Sequence, residues 1–237
     1  MTYDPIDHYV VLFGGGRNSP GYVLGPQTWV FSHGNWTNLT IAHHPSGVAF
    51  CSMTYDAADH YVLLYGGIRW SVASYSFASW RFVHGTWTPL RTKTAPSVSY
   101  AAGMTYDAHD GYVVLFGGVN DYGFSSNATW TYRSGNWTLM GAAPAALSPR
   151  IPDGMTYDPG LGAVVMFAGW NSSTTPGGNN DTWGYSAGTW SVIASVTSPG
   201  SSGGSTMCFD SRLGAILYYG GTYASSGTRD TDTWVFS

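Results

Sequence analysis

The sequence predicts an all-β fold built from five repeated units of four short strands each. The motif Met-Thr-Tyr-Asp begins at Met1, Met53, Met104 and Met155, and a variant, Met-Cys-Phe-Asp, begins at Met207. The spacing is 51 or 52 residues, and a constant period of this length is typical of repeat architectures. The composition agrees, because 32 glycines, 11 tryptophans, 17 tyrosines and 10 phenylalanines suit short strands joined by tight turns.

Each unit contains four strand signals, which we label strands A to D in chain order. Strand A is the approach to Met-Thr-Tyr-Asp, and the Asp begins a turn that reverses the chain. Strand B is almost continuously apolar, as expected for a strand covered on both faces. Strands C and D each carry a tryptophan and are separated by a tight turn that contains glycine. In the first unit, strand B is 9–13, strand C is 28–31, the C–D turn contains His33-Gly34, and strand D is 36–39.

These residues resemble the kelch repeat along the whole chain. The resemblance rests on the Gly pair that closes strand B, as at Gly14-Gly15, on an aromatic residue in strand C, as at Trp29, and on a Gly-x-Trp seven residues later, as at Trp36. It implies a single kelch-like β-propeller whose four-stranded antiparallel blades have strand A along the axis and strand D outermost. The blades are predicted at about 1–46, 47–97, 98–148, 149–200 and 201–237. The family usually has an arginine before strand A; Arg150 is near such a place, but we assign it no family role.

The number of strand signals predicts an incomplete last blade. Strands A, B and C occur five times, whereas strand D, with its Gly-x-Trp, occurs four times. The fifth blade should therefore contain three strands from this sequence. We expect the sequence to be a segment of a longer polypeptide, in which residues before Met1 supply a strand D that pairs with blade 5 and closes the ring.

The variable loops predict a binding face. In a blade with this strand order, the A–B and C–D turns lie on one face and the B–C and D–A loops on the other. The turns are short and alike, whereas the loops differ in every unit, and binding residues are usually displayed on variable loops of a rigid scaffold. Aromatic side chains can stack on sugar rings or anchor protein contacts. The predicted ligand-binding residues on this face are Arg17, Tyr22, Arg69, Trp70, Tyr75, Asp121, Tyr122, Phe124, Trp170, Tyr223 and Arg229.

Catalytic and metal-binding motifs are not identified in the sequence. The Asp that closes strand A appears in every unit and is interpreted as a turn former rather than as part of a carboxylate ring. The histidines occupy equivalent turn positions, and the adjacent pair His43-His44 points in different directions, so no metal site or other cofactor is predicted. Cys51 and Cys208 are interpreted as two buried free thiols, although a bridge near the axis is conceivable.

Composition and charge exclude two classes of partner. Only 9% of the residues are charged and the net charge is −4, so no basic surface is available for nucleic acid. The sequence has no apolar run of about 18 residues, so no membrane span is predicted in this segment.

Six Asn-x-Ser/Thr sequons predict N-linked glycans and, with them, an extracellular or cell-surface location. We expect all six to be accessible, and we expect Asn35 and Asn136 to share the same exposure because both lie in C–D turns. The sequons are at Asn35, Asn38, Asn127, Asn136, Asn171 and Asn180.

The favoured functional hypothesis is a non-enzymatic binding or adhesion module that binds a protein or glycan ligand through its B–C and D–A loop face. A first alternative is a structural subunit of a surface fibre or layer, which contacts neighbouring copies or domains. A second is a carbohydrate-active enzyme with a pocket at the mouth of the axis. Acidic or metal-ligating residues gathered at that mouth would favour the enzyme.

Overall fold

The computed structural model shows an all-β propeller of five blades, as the sequence predicts. It describes residues 1–17, 23–69, 74–171, 178–195, 197–200, 202–223 and 227–237; within these ranges, the side chains of Arg17, Val23, Leu24, Ser202 and Tyr223 lie outside the description. All regular elements among the described residues are β-strands. The same residues contain no helix long and apolar enough to span a membrane.

The first two blades are four-stranded antiparallel sheets with a short hairpin in each B–C loop. Blade 1 contains β1 (Thr2–Asp4), β2 (Tyr9–Phe13), the hairpin of β3 (Gly16–Arg17) and β4 (Val23–Leu24), β5 (Thr28–Ser32) and β6 (Asn35–Leu39). Blade 2 contains β7 (Ser52–Asp56), β8 (Tyr61–Tyr65), the hairpin of β9 (Ile68–Arg69) and β10 (Ser74–Tyr75), β11 (Ser79–Val83) and β12 (Thr86–Leu90).

The remaining blades repeat this order, and the last has three strands. Blade 3 contains β13 (Gly103–Asp107), β14 (Tyr112–Phe116), β15 (Thr129–Arg133) and β16 (Asn136–Leu139). Blade 4 contains β17 (Gly154–Asp158), β18 (Ala163–Gly169), β19 (Asn179–Ser186) and β20 (Thr189–Ile193). Blade 5 contains β22 (Thr206–Asp210), β23 (Ala215–Tyr219) and β25 (Thr233–Phe236). Outside this blade, β21 (Ser202–Gly203) pairs with β24 (Thr222–Tyr223).

Turn chemistry explains why each unit folds into a meander. In every blade the Asp that ends strand A accepts backbone N–H bonds through Oδ1 from the residues two and three positions later, as Asp107 does from His109 and Asp110 at 3.0 and 3.2 Å. This confirms the Asp as a turn former. The C–D turns place two successive residues at positive φ, as at His33 (49°) and Gly34 (81°), which is the geometry of a type I′ hairpin.

The strands are arranged with A innermost and the apolar strand B sandwiched between neighbouring blades. Strands A of blades 1 to 5 contact one another in sequence around the axis, and each sheet runs outward in the order A, B, C, D. The strand B residues of blades 2, 3 and 4 are almost completely buried, which confirms the expectation for a strand covered on both faces. The core is therefore a series of interblade layers rather than one central cluster.

In blades 1 to 4, a glycine at the end of strand B lies where two parts of the chain approach closely, as expected. A Cβ on Gly117 would be 2.4 Å from the carbonyl oxygen of Arg150, and one on Gly66 would be 2.4 Å from that of Ser99. Both glycines also have positive φ. A side chain at these positions would therefore separate the B–C loop of one blade from the D–A loop that leads into the next.

Candidate functional site at the mouth of the axis

The described parts of the variable loops lie together on one face. Each D–A loop pairs with the B–C loop of the blade that it enters, through the bridges Ala49–Ile68, Tyr100–Val119 and Ile151–Trp170. In blade 5, the pairing of β21 with β24 makes the same connection. Because the D–A loops end at the innermost strands, this face surrounds the mouth of the propeller axis.

A cavity of about 450 Å³ opens at this mouth, and we call it the axial cavity. Its wall is built from equivalent positions, since blades 2 to 5 each contribute the two residues at the second and third positions before the Met of strand A. These pairs are Phe50-Cys51, Ala101-Ala102, Pro152-Asp153 and Gly204-Ser205. Tyr100, Val119, Ile151 and Trp170 complete the lining. The volume is in the range of sites for small organic ligands.

Aromatic rings line much of the axial cavity. The ring centroids of Phe50 and Tyr100 are 6.5 Å apart, and Tyr100 stacks on Tyr75 at 6.0 Å with an interplanar angle of 14°. Trp170 also lines the cavity and is 44% exposed. Phe50 and Ala101 have φ values of 56° and 57°, a conformation that is uncommon for residues other than glycine and that for a bulky side chain indicates strain.

The polar groups of the axial cavity include two buried atoms without hydrogen-bond partners in the described structure. They are Oδ2 of Asp153 and Oγ of Ser205. The other carboxylate oxygen of Asp153 accepts a bond from the backbone N–H of Gly204 at 3.3 Å. Desolvation by burial raises the pKa of Asp153 to about 7, against weaker opposing bonds from the backbone. Two unpaired polar atoms beside aromatic rings suit a ligand that supplies hydrogen bonds.

Chemically, this arrangement can bind a polar organic ligand and can exchange one proton near neutral pH. Burial raises the pKa of Cys51, so its thiol stays protonated and is a poor nucleophile. No group of three metal-ligating side chains occurs among the described residues. The described lining contains a single carboxylate, that of Asp153.

Of the predicted ligand-binding residues, Trp170 lines the axial cavity. Tyr75 lies behind this lining and stacks on Tyr100, which is part of it. Arg69 is half-buried in β9. Asp121, Tyr122 and Phe124 lie on an exposed turn, away from the cavity lining, in which Asn120 Oδ1 accepts the N–H groups of Tyr122 and Phe124.

The other predicted ligand-binding residues do not contribute to the cavity as described. Arg229 is exposed, and its backbone forms an isolated antiparallel β-bridge with that of Thr222. Tyr22 and Trp70 lie outside the described residues, and so do the side chains of Arg17 and Tyr223.

Sequence reasoning missed Asp153, Ser205, Phe50 and Tyr100. A signal was available, because aligning the repeats on Met-Thr-Tyr-Asp places Cys51, Ala102, Asp153 and Ser205 in one column. In a propeller, a column directly before strand A faces the axis. Asp153 is the one carboxylate among these four aligned residues, so the alignment could have identified it as a candidate site residue.

Arg150 has a structural role in blade 4. Its side chain is fully buried and forms a two-pronged ion pair with Asp181. Desolvation works against ionisation of Asp181, but the hydrogen bonds from Arg150 and from Trp183 keep the pKa of this carboxyl below its usual value. The guanidinium also donates to the carbonyl of Ala168 at 3.3 Å, which fixes the D–A loop against the end of β18.

The cysteines are free, as expected, but neither is fully buried. Cys51 is half-buried and Cys208 is exposed. Cys208 lies on β22 of the last blade, whose residues are exposed or half-buried, whereas the equivalent residue of β7, Thr54, is buried.

The expectation that Asn35 and Asn136 share the same exposure is wrong. Asn35, Asn38 and Asn180 are exposed, whereas Asn127, Asn136 and Asn171 are half-buried. The pair Asn35 and Asn136 differs because Asn136 Oδ1 accepts bonds from the backbone of Lys93 and Thr94 at 2.9 and 3.4 Å. Asn127 donates to the carbonyl of Leu147 at 3.1 Å.

Comparisons with known proteins support the fold. No family model matches the chain, and no curated protein matches it. Among solved structures, it is similar to that of YjhT, a kelch-repeat propeller, with a TM-score of 0.73 and 11% sequence identity over 96% of this chain and 78% of that chain. At this identity the likeness concerns the fold alone. The chain therefore folds as a β-propeller of five blades, the last of them three-stranded, and this fold is similar to that of a kelch-repeat propeller.

Proposed function

We propose that this propeller is an extracellular or cell-surface binding module that takes a sugar residue of a glycan ligand into its axial cavity. The observation that carries the proposal is the combination, in one cavity of about 450 Å³, of aromatic walls with the unpaired atoms Asp153 Oδ2 and Ser205 Oγ. The surrounding loop face supplies the wider contact area for the rest of a glycan or for the protein that carries it.

The chemistry of the cavity suits a sugar better than a purely apolar ligand. A pyranose ring presents C–H groups that pack on aromatic faces, here those of Phe50, Tyr100 and Trp170. Its hydroxyl groups can donate to Asp153 and can donate to or accept from Ser205. An apolar ligand would leave both polar atoms buried and unpaired, at a cost of about 1–3 kcal/mol each.

A second candidate, a carbohydrate-active enzyme, is favoured by the pKa of about 7 at Asp153, which suits a general acid or base. Glycoside hydrolysis commonly uses two carboxylates that flank the scissile bond. The described lining provides one carboxylate, so binding without bond cleavage is the better-supported function.

The exported location rests on the sequons at the exposed residues Asn35, Asn38 and Asn180. Intact-mass measurement of protein from its native source tests it. We expect added mass at these asparagines and none at the engaged Asn136. A mass equal to that of the bare polypeptide would contradict the exported location.

Titration with a panel of monosaccharides and short glycans, followed by calorimetry on the best ligand, tests the binding function. Trp170→Ala should weaken binding at least tenfold, because the substitution removes a stacking face. Asp153→Asn should change affinity by a similar factor. Tyr122→Ala is the matched control, because Tyr122 is an exposed aromatic residue outside the cavity and its removal should leave affinity unchanged. Equal affinity of all four proteins would overturn the assignment of the cavity.

A further inference from the structure

The axial cavity contains a single charged side chain among its described lining residues, and that side chain is acidic. The lining includes the carboxyl group of Asp153 but no lysine, arginine or histidine. Arg150, which precedes the lining residue Ile151, is already paired with Asp181 and does not contribute to the lining. The protein as a whole also has a net charge of −4. The potential at the mouth of the axis therefore favours cations over anions.

The carboxyl group of Asp153 is oriented by backbone groups rather than by a cation. Its Oδ1 accepts the N–H of Gly204 at 3.3 Å, and the backbone N–H of Gly169 also acts to lower its pKa. The other oxygen, Oδ2, is buried and has no hydrogen-bond partner in the described structure. The fold thus fixes the position of this carboxyl and leaves one of its oxygens for a ligand.

Burial of Asp153 has no compensating positive charge among the described residues. Desolvation raises the pKa of Asp153 to about 7, and only the two backbone bonds oppose it. The other titratable groups of the lining are Cys51 and Tyr100, whose pKa values are also raised by desolvation, so both stay protonated and neutral at pH 7. A cationic ligand would supply the counter-charge that the surrounding side chains do not.

The indole of Trp170 is held close to this carboxyl group. Backbone hydrogen bonds in both directions join Trp170 to Ile151, at 2.8 and 3.1 Å, and Ile151 lies two residues before Asp153. A Cβ built on Gly203 would be 3.6 Å from the indole Cδ1, and the next residue, Gly204, is the donor to Asp153. The indole and the carboxyl group therefore contact the same short backbone segment.

Two further rings line the cavity from the loops that lead into blades 2 and 3. The centroids of Phe50 and Tyr100 are 6.5 Å apart. Phe50 has a φ of 56° and is 58% exposed, so burial of its ring contributes little to offset the backbone strain. Strain of this kind is concentrated at ligand sites, where it holds a side chain in place for binding.

Aromatic faces beside a carboxylate recognise an ammonium group better than a neutral hydroxyl. A cation is attracted to a ring face within about 6 Å of its centroid, and a hydrogen bond between two charged groups is stronger than one between neutral groups. An ammonium has only N–H donors, which suits the acceptors Asp153 Oδ2 and Ser205 Oγ. A sugar hydroxyl would pair with Oδ2 but would leave the charge of the carboxylate uncompensated.

We propose that the sugar bound in the axial cavity is an amino sugar, whose free ammonium group pairs with Asp153 and packs against the aromatic wall. The wall consists of Phe50, Tyr100 and Trp170. This inference rests on the proposed sugar-binding function and adds the charge of the ligand to it. Because N-acetylation removes that charge, the preferred ligand is the unacetylated sugar.

NMR titration of the full chain at pH 7 with four related sugars tests the proposal: glucosamine, glucose, N-acetylglucosamine and glucuronate. We expect glucosamine to bind about tenfold more tightly than glucose. N-acetylglucosamine should bind no better than glucose, and glucuronate should bind most weakly because its carboxylate is repelled. Equal affinity for glucosamine and glucose, or a preference for glucuronate, overturns this inference but leaves sugar binding in place. If none of the four sugars binds, the proposed function fails and the inference fails with it.

Two carboxylate variants localise the effect of charge. Asp153→Asn keeps an acceptor for Gly204 but removes the negative charge, so it should make the affinities for glucosamine and glucose equal. Asp232→Asn is the matched control, because Asp232 is an exposed carboxylate outside the cavity lining, and the tenfold preference should persist. A preference that survives in Asp153→Asn, or one that Asp232→Asn also removes, would contradict pairing in the cavity.

The pH dependence of binding gives a readout that needs no variant. Between pH 5.5 and 7 the ammonium of the ligand stays protonated, and so do Cys51 and Tyr100, whereas Asp153 ionises. The affinity for glucosamine should therefore rise about tenfold over this range, and the affinity for glucose should not rise with it. A glucosamine affinity that is constant or falls from pH 5.5 to 7 would show that the ammonium does not pair with this carboxylate.

Discussion

Blade 3 and blade 1 carry the same sequence pattern but bury it to different extents. In blade 3, Trp137 and Tyr132 are 1% and 0% exposed, whereas their equivalents in blade 1, Trp36 and Phe31, are 46% and 36% exposed. The two ring pairs are nearly identical, with centroids 5.0 and 5.1 Å apart. The ring contact within a blade is therefore the same whether or not the pair is buried, and contact with the preceding blade adds burial, a third ring and a hydroxyl acceptor.

The other end of the described propeller shows the complementary difference. Tyr219 on β23 is 51% exposed, whereas its equivalents Tyr65 and Phe116, which end strand B in blades 2 and 3, are 2% and 0% exposed. The strand pattern is thus sufficient to form a sheet, but the stabilisation of a blade depends on the two blades beside it.

The largest expected effect on stability comes from substituting two equivalent tryptophans, the buried Trp137 of blade 3 and the exposed Trp36 of blade 1. Trp137→Ala should lower the free energy of unfolding by about 3–5 kcal/mol, because it leaves a cavity and an unpaired Ser79 hydroxyl. Trp36→Ala should lower it by about 1 kcal/mol, since the indole is already partly in water. Urea denaturation of both variants measures the difference. Equal losses would mean that the exposed face of blade 1 is covered in solution.

A second contrast uses two arginines. Arg150→Met breaks the buried ion pair with Asp181 and should cost about 3 kcal/mol, because a partly buried carboxylate loses its partner. Arg133→Met, on the exposed end of β15, should change stability by less than about 0.5 kcal/mol. Thermal and urea unfolding of the two variants at pH 7 provide the check. If Arg150→Met lowers the free energy of unfolding no more than Arg133→Met does, the ion pair between Arg150 and Asp181 does not stabilise the fold.

The third prediction extends the comparison to the axis, where equivalent positions differ in chemistry. Because burial raises the pKa of Asp153 to about 7, the folded state binds a proton that the unfolded state has released, and stability falls as pH rises from 5 to 7. At about 1.4 kcal/mol per pKa unit, this carboxyl should remove about 2–3 kcal/mol between pH 5 and 8.

Asp153→Asn tests this prediction, because it removes the titrating group and keeps an acceptor for Gly204. The difference between wild type and variant in the slope of stability against pH isolates Asp153 from other carboxyls, such as Asp56 and Asp107, whose pKa values are also raised by desolvation. Parallel profiles of stability against pH for the two proteins would show that the pKa of Asp153 is not raised by the fold.

The smallest effect concerns a single hydrogen bond. Thr129→Val removes the acceptor of the Trp190 indole and should cost about 1–2 kcal/mol, because a buried N–H is left unpaired. Thr233→Val changes the equivalent hydroxyl of blade 5, which is exposed, and should have almost no effect. Urea midpoints at constant m-value measure both. A comparable loss of stability in Thr233→Val would indicate that the Thr233 hydroxyl also accepts a hydrogen bond from a tryptophan indole.

The strands and turns of this protein were determined by the sequence itself. The period, the Asp turns and the apolar strands B predicted the blades, and β2 coincides with the predicted range 9–13. The three-stranded last blade also followed from the absence of a fifth Gly-x-Trp signal. These features could be predicted because each depends on contacts between residues close in the chain, repeated five times.

The candidate site and the exposures were decided by the tertiary structure. Phe50, Tyr100, Asp153 and Ser205 come from different blades and meet only because strands A surround one axis. Asn35 and Asn136 have the same sequence context but different exposure, because the loop at Lys93 and Thr94 covers only the second. A repeat specifies what each residue can contact within its own blade. Burial and pKa depend on which other parts of the chain lie opposite, and that is a property of the assembled blades.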